Sequence, residues 1–162
     1  MSNGWLRESA KDIEGKVLSI GSFEDKDGQE GHYRDYFKSA SSYETSDVIP
    51  FADLDYVLDV RDMNTIKDGE YDCVFCSGVL EHVEEFGKGV SEITRILKSG
   101  GTLLLGVPFR QAIHDYPTDY WRFTKFALEY LFKDKFYISE IKEIDKEVED
   151  FPVAYWLKAT KK

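Results

Sequence analysis

The sequence predicts an α/β protein built on a mostly parallel sheet. Residues 71–109 read as strand, loop, helix, turn and strand, which is the unit that joins two neighbouring parallel strands. The second strand of this unit, 102–107, is apolar on both faces, as is typical of a parallel strand covered by helices. Pro108 ends that strand because proline cannot donate to a β ladder.

The chain before residue 71 supplies a short helix and three strands. The helix is predicted over 5–13 and ends at Gly15, a residue that readily leaves helical geometry. Apolar and alternating runs predict the three strands at 16–21, 42–47 and 55–60.

The connections between these strands are less regular. Tyr33, Tyr36 and Phe37 lie at helical spacing and predict a first crossover helix over 32–40. Only residues 48–54 separate the second and third strands, which is short for a parallel crossover. Either the usual helix has collapsed to a loop there, or the strand ends lie elsewhere.

The central unit opens with a strand over 71–76 that runs into the small residues Ser77 and Gly78. A helix follows, because Val90, Ile93 and Leu97 share one face, and Gly100-Gly101 is predicted to stop it.

The C-terminal part reads as a loop, a helix and a hairpin. Residues 108–123 are irregular, and Thr124 is a good N-cap for the helix that follows. Strands over 136–147 and 154–160, connected through 149–152, predict an antiparallel hairpin.

Length and composition bound the class of protein. A chain of 162 residues with 42% hydrophobic residues is expected to be one folded domain, 1–162.

We find no apolar run of membrane length and no signal segment in 1–10, so a cytoplasmic protein without a membrane partner is expected. The net charge of −10 argues against a nucleic-acid partner, because such binding depends on neutralising phosphates. The sequence leaves the oligomeric state open.

Two cysteines have C-x-x-C spacing, but they lie on a predicted strand. Cys73 and Cys76 are therefore about 10 Å apart and on opposite faces, which excludes a disulfide. Buried thiols are favoured over zinc or redox chemistry.

Two motifs in the central unit resemble a known family. Val79-Leu80-Glu81-His82-Val83 and Leu97-Lys98-Ser99-Gly100-Gly101 are similar to the VLEHV loop and LKPGG turn of class I S-adenosylmethionine-dependent methyltransferases of type 11, with serine in place of proline. The resemblance implies a Rossmann-like, seven-stranded, mostly parallel sheet with helices on both faces and a C-terminal antiparallel hairpin. It also implies S-adenosyl-L-methionine as the cofactor.

The same resemblance suggests where the cofactor lies. Gly21 is where the family has its glycine-rich loop, although residues 22–31 form a longer and more acidic loop here. Asp47 is expected to hold the ribose hydroxyls, or else to be a turn residue before Ile49-Pro50. The full predicted cofactor set follows the ends of four strands: Gly21, Ser22, Phe23, Asp47, Val48, Asp59, Val60, Arg61, Ser77, Gly78, Val79 and His82.

Some members of that set have alternatives. In the family, the equivalent of Asp59 binds the adenine amino group and the next backbone N–H reaches the ring. Asp62 competes for the carboxylate role, and Arg61 is alternatively a solvated side chain. His82 is alternatively a structural hydrogen-bonding group.

Residues 114–122 are predicted to form the acceptor side of the pocket. His114 is the candidate general base, because histidine titrates near neutral pH. Asp119, Tyr120 and Arg122 are expected to orient the acceptor. The P-x-D-Y-W-R-F-T string resembles bacterial methyltransferases of sugar and cell-surface polysaccharide pathways. The alternative is structural, with an Asp119–Arg122 ion pair and with Tyr120, Trp121 and Phe123 in the core.

No metal is predicted. Some relatives carry E-x-x-E-H, and Gly78 replaces the first glutamate of that pattern, so Glu81, His82 and His114 would form only a partial site.

The sequence is compatible with two functions. The first is a transferase that methylates a small molecule, expected to act on an oxygen of a sugar or related metabolite. The second is a catalytically idle adenosyl-binding or protein-interaction module.

Overall fold

The computed structural model describes residues 3–145, 148 and 151–162. Three 3₁₀ turns, at Phe23–Asp25, Tyr33–Tyr36 and Leu80–His82, accompany the regular elements. Those elements are α1 (Gly4–Ala10), β1 (Gly15–Ile20), β2 (Ala40–Asp47), β3 (Tyr56–Val57), β4 (Tyr71–Ser77), α2 (Phe86–Ile96), β5 (Leu97–Pro108), α3 (Lys125–Phe132), β6 (Phe136–Ile144) and β7 (Ala154–Lys161).

Within the described residues the strands form one seven-stranded sheet in the order β3-β2-β1-β4-β5-β7-β6. The pairs from β3 to β5 are parallel, and β7 runs antiparallel between β5 and β6. This topology confirms the predicted mostly parallel sheet and its C-terminal antiparallel hairpin.

The core has two parts, one on each face of the sheet. Helices α2 and α3 contribute Ile93, Ile96, Leu128 and Phe132 to the larger part. Helix α1 contributes Leu6 and Ala10 to the smaller part. Helices therefore cover both faces, as predicted.

Two elements of the first half differ from the prediction. Residues 32–40 were predicted to be a helix, but they contain only the turn Tyr33–Tyr36. Tyr36 is buried, and its hydroxyl donates a hydrogen bond to Asp27 at 2.6 Å. This bond holds the segment against the preceding loop. Strand β3 has two residues where six were predicted. It ends early because the carboxylate of Asp59 accepts the backbone N–H of Arg61 and begins a turn.

The boundary between α2 and β5 also differs. The helix ends at Ile96, and Gly100-Gly101 lies inside β5 rather than at the end of the helix. A register shift in the β4–β5 pairing occurs here, and a Cβ on Gly101 would lie 2.9 Å from the carbonyl oxygen of Lys98. The glycine therefore permits a close backbone approach within the strand.

Other predictions hold. The side chain of Thr124 accepts from the backbone of Ala127 and caps α3. Cys73 and Cys76 are free, buried and on opposite faces. The predicted strand residues 146–147 and the connection at 149–150 lie outside the described residues. Among the helices that the structure describes, none has the length and apolarity to cross a membrane.

Candidate functional site

The parallel strands bring the loops after β1, β2, β4 and β5 to one edge of the sheet. Ile20 at the end of β1 lies beside Ser46 of β2 and Cys76 of β4, and Ser77 lies beside Gly106 of β5. Ligands of open parallel sheets bind at this carboxyl edge. It is therefore the place to look for the predicted site.

The loop after β1 begins with a glycine that cannot be replaced without strain. Gly21 has φ +71°, and a Cβ there would lie 2.2 Å from a methyl carbon of Val79. The backbone N–H groups of Gly21 and Ser22 both donate to the carbonyl of Ser46. This turn therefore connects three of the predicted cofactor residues directly, since Gly21, Ser22 and Val79 meet here.

The loop continues through three left-handed residues that are not glycine. Phe23, Glu24 and Asp25 have φ of 21°, 54° and 56°. Asp25 is buried, and its carboxylate accepts from the backbone and side chain of Arg34 and from the hydroxyl of Tyr43. These bonds hold a backbone that is otherwise unfavourable, as is common at functional sites.

Asp47 ends β2 next to this loop and keeps capacity for a ligand. Its carboxylate accepts the backbone N–H of Phe23 at 3.2 Å and that of Ile49 at 3.0 Å. A carboxylate has about four acceptor positions, so about two remain. Phe23, Val48 and Ile49 expose apolar side chains around it. A free carboxylate face with exposed apolar groups suits an adenosyl group, which has a diol and a flat apolar ring.

A cleft of ≈ 550 Å³ opens between the loops after β1 and β2. Ser22, Thr45 and Phe51 are among the residues that line it. Of the predicted cofactor residues, Ser22 lines this cleft and Asp47 does not.

The side chains of Asp59 and Val60, which were predicted to lie near adenine, already have partners within the protein. Both oxygens of Asp59 accept from the guanidinium of Arg61, with the shortest bond at 2.6 Å, and this bonding lowers the pKa of Asp59. The side chain of Val60 is buried against Gly89, so only its backbone is available to a ligand. A hydrogen bond from Leu58 N–H to the carbonyl of Asp47 links this group to β2.

A smaller cavity of ≈ 180 Å³ lies at the ends of β4 and β5. Ser77 and Gly78 form one wall, and the side chains of Glu81, Gln111 and His114 supply polar groups. Gly78 has φ +67°, and its N–H donates to the carbonyl of Gly106. The predicted cofactor residues after β4 therefore adjoin the predicted acceptor residues.

The acceptor segment is bound to the turn Leu80–His82. The backbone N–H groups of Tyr120 and Trp121 both donate to the carbonyl of Glu81, at 2.8 and 3.1 Å. Trp121 also donates from its indole to the carbonyl of Val83. As a result the rings of His82 and His114 meet edge to face, with centroids 4.8 Å apart.

Asp119 and Arg122 hold this segment together. The guanidinium of Arg122 donates to both oxygens of Asp119, at 2.5 and 2.8 Å, and covers this side chain, which is 1% exposed. Arg122 thereby holds the pKa of Asp119 well below its usual range. The geometry favours the structural interpretation of this pair. Of the segment's aromatic residues, Phe123 is buried, whereas Tyr120 remains 42% exposed.

Glu81 lines the smaller cavity, although the sequence analysis did not include it among the cofactor or acceptor residues. Its side chain is 1% exposed and one of its oxygens, Oε2, has no hydrogen-bond partner, while Oε1 lies 3.9 Å from Nε2 of His82. Burial raises the pKa of Glu81, and nearby His82, His114 and Arg122 oppose that rise. The sequence signal for its burial is its place among the apolar residues of the 79–83 motif.

Comparison with known proteins points to one family. The profile of the methyltransferase domain family matches residues 36–105, which is less than half of the chain. This stretch is similar to a methyltransferase domain. No curated protein matches its sequence.

Solved structures of methyltransferases share the fold. One is a Haloferax volcanii methyltransferase in complex with the Trm112 methyltransferase activator, with TM-score 0.72, 16% identity, and coverage of 98% of this chain and 88% of that chain. Another is the 1,6-didemethyltoxoflavin N1-methyltransferase of Burkholderia thailandensis with bound 1,6-didemethyltoxoflavin and S-adenosylhomocysteine, with TM-score 0.69, 15% identity, and coverage of 90% of this chain and 70% of that chain.

A third is the N-methyltransferase NodS of Bradyrhizobium japonicum with S-adenosylhomocysteine, with TM-score 0.69, 12% identity, and coverage of 91% and 78%. At these identities the likeness shows the fold alone. The chemistry must be argued from its own residues.

Proposed function

We propose that this methyltransferase domain binds S-adenosylmethionine and transfers its methyl group to a hydroxyl of a small polar molecule, such as a sugar. The observation that carries the proposal is the arrangement along one sheet edge. The Gly21 turn meets Val79, and Gly78 beside it opens into the cavity that contains Glu81 and His114. A cofactor along this edge would present its methyl group towards that cavity.

The bound cofactor would supply an activated methyl group, so the protein has to position the acceptor and remove its proton. His114 has the tautomer that this role requires. Its Nδ1 lies 3.1 Å from the carbonyl oxygen of Ala112, and a carbonyl can only accept, so Nδ1 carries the proton. The lone pair is then on Nε2, which can accept a proton from a hydroxyl.

The cavity favours a small acceptor, or the reactive end of a larger one. Its ≈ 180 Å³ is below the range of about 300–1,000 Å³ that is common for drug-sized ligands. The indole of Trp156 and the polar side chains of Gln111 and His114 line it together. The indole stacks between Trp5 and Phe75 and is 4% exposed, so only its edge is available, and this edge with the polar groups beside it suits a small polar molecule. The sugar assignment is supported further by the P-x-D-Y-W-R-F-T string.

A protein-interaction module is the second candidate. Two observations favour it: Asp59 is occupied by Arg61, and one structural neighbour is a methyltransferase bound to an activator protein. Such a module would have no turnover, with or without cofactor binding.

Two measurements separate these functions. Calorimetry measures the affinity for S-adenosylhomocysteine, and an assay with labelled S-adenosylmethionine measures methyl transfer to a panel of sugars. We expect saturable binding and turnover. His114→Asn should lower turnover by about 10²–10⁴-fold, the range for loss of a general base, without changing the affinity for S-adenosylhomocysteine. A folded chain that binds no S-adenosylhomocysteine, or that methylates no acceptor, would contradict the proposal.

A further inference from the structure

We propose that Glu81, His82 and His114 bind one divalent transition-metal ion. Among the described residues these three bring a carboxylate oxygen and two imidazole nitrogens within 4.8 Å of one another. Two imidazoles and one carboxylate form a common ligand set of catalytic zinc and iron sites. The site concerns metal binding and stands apart from methyl transfer, because a metal on Nε2 of His114 would occupy the lone pair assigned above to the general base. In the metal-bound form His114 would be a ligand, and the metal would instead lower the pKa of an acceptor hydroxyl bound to it.

The hydrogen bonds of both histidines prepare them as ligands. Nδ1 of His82 lies 3.0 Å from the carbonyl oxygen of Thr118, and Nδ1 of His114 lies 3.1 Å from that of Ala112. Each Nδ1 therefore carries the proton and each Nε2 has a free lone pair. Metal-binding histidines are oriented in this way, with the second ring nitrogen donating to a carbonyl or carboxylate.

One oxygen of Glu81 has no hydrogen-bond partner among the described residues. Its carboxylate is 1% exposed, and Oε2 accepts no hydrogen bond. A buried charge without a partner is strongly unfavourable, so such groups are normally paired or coordinate a metal. A cation between this carboxylate and the two Nε2 atoms would satisfy all three groups at once.

Gly78, which replaces the first glutamate of the E-x-x-E-H pattern, leaves the other three groups in place. A Cβ on Gly78 would lie 3.7 Å from Oε1 of Glu81, so the glycine leaves open space on this side. Three protein ligands with an open position are the arrangement of catalytic metal sites. The open side faces the cavity shared by Glu81 and His114, where, given the proposed function, an acceptor oxygen would bind.

The geometry and the ligand types suit Zn²⁺. Zinc with ligands at about 2.1 Å in a tetrahedron sets the ligand atoms about 3.4 Å apart. Nε2 of His82 is already 3.9 Å from Oε1 of Glu81, so small side-chain rotations close the site. Asp115 adds an exposed carboxylate 3.8 Å from the same Nε2 and is available as a further ligand.

Titration with Co²⁺ tests the proposal without any need for enzyme activity. The chain is first treated with a chelator and desalted, and visible absorption is followed as Co²⁺ is added. We expect one equivalent to bind and Zn²⁺ to displace it. Glu81→Gln and His114→Asn should each weaken binding by about 100-fold or more, because even loss of an outer-shell partner costs about 10–100-fold.

His32→Asn is the matched control, because His32 is the third histidine of the chain and lies outside the cluster. It should bind Co²⁺ like the wild type, and circular dichroism should show that all variants are folded. Wild-type protein without saturable Co²⁺ binding would overturn the proposal, as would equal binding by the folded Glu81→Gln and His114→Asn variants. A chain that binds Co²⁺ but not S-adenosylhomocysteine would instead overturn only the proposed function.

Discussion

Replacing Glu81 by glutamine should stabilise the metal-free chain at pH values above the raised pKa of this carboxyl. Glutamine keeps the shape of the side chain and removes its charge. In the wild type that charge is buried, and Oε2 has no partner. The variant should therefore be more stable, although the mutated residue lies in the proposed site.

The sign of the pH dependence follows from the pKa. Burial raises the pKa of Glu81 in the folded chain, so the folded state binds this proton more tightly than the unfolded state. The protonated carboxyl contributes its full stability below the ordinary pKa of glutamate. This contribution is lost as the pH rises through the raised pKa of Glu81 in the folded chain. The advantage of Glu81→Gln should therefore be small in acid and largest in alkaline solution.

The expected size follows from the unpaired group. A buried polar group without a partner costs about 1–3 kcal/mol, and a charged one costs more. Removing the charge should therefore recover at least about 1 kcal/mol. For a domain of this size that corresponds to an increase in melting temperature of about 2–4 °C.

Thermal unfolding of both proteins between pH 5 and pH 8.5, with a chelator present, measures the effect. Glu84→Gln, an exposed neighbour on the same loop, is the control and should show no such pH-dependent gain. If the Glu81→Gln variant were less stable than the wild type at pH 8.5, or if the difference did not change with pH, Glu81 would not be a strained buried carboxylate. Zn²⁺ should raise the melting temperature of the wild type and leave the variant unchanged, because a ligand stabilises the state that binds it.

Two further predictions concern cofactor binding and the acceptor segment. Asp47→Ala should weaken S-adenosylhomocysteine binding by about 10- to 150-fold in calorimetry, since charge-assisted hydrogen bonds contribute about 1.5–3 kcal/mol. Asp12→Ala, exposed just before β1 at the other end of the sheet, should have no effect, and an unchanged Asp47→Ala affinity would remove Asp47 from the site. Arg122→Lys should lower the melting temperature by a few degrees, because lysine cannot donate to both oxygens of Asp119. The same change at Arg61, in an exposed ion pair, should have little effect on stability; equal melting temperatures for both variants would contradict the role of Arg122.

The sequence predicted the elements whose pattern is local. Strands β4 and β5, the α3 cap at Thr124 and the terminal hairpin all follow from apolar runs and capping residues within a few positions. The predicted helix over 32–40 failed for a non-local reason. Tyr36 has helical spacing from its neighbours, but its hydroxyl bonds to Asp27 and to Asn3 in a buried network that propensity does not describe.

The position of the site stays a prediction. The sequence directed attention to the ends of β1, β2 and β4, and the strand order places these ends at one edge. It undervalued Glu81, because neither the burial of Oε2 nor the proximity of His114, 33 positions away, can be read from spacing. It also left the role of Asp119 open, and the ion pair with Arg122 became visible only in three dimensions.

The two edges of the sheet bear on how the protein behaves at high concentration. Strand β3 presents only two residues, and the longer edge strand β6 has charged residues at Glu140, Lys142 and Glu143. Short edge strands and edge charges both oppose the pairing of one chain with another that leads to aggregation. Extending β3 to the six residues predicted from the sequence, or neutralising the charges of β6, should therefore favour intermolecular sheet formation.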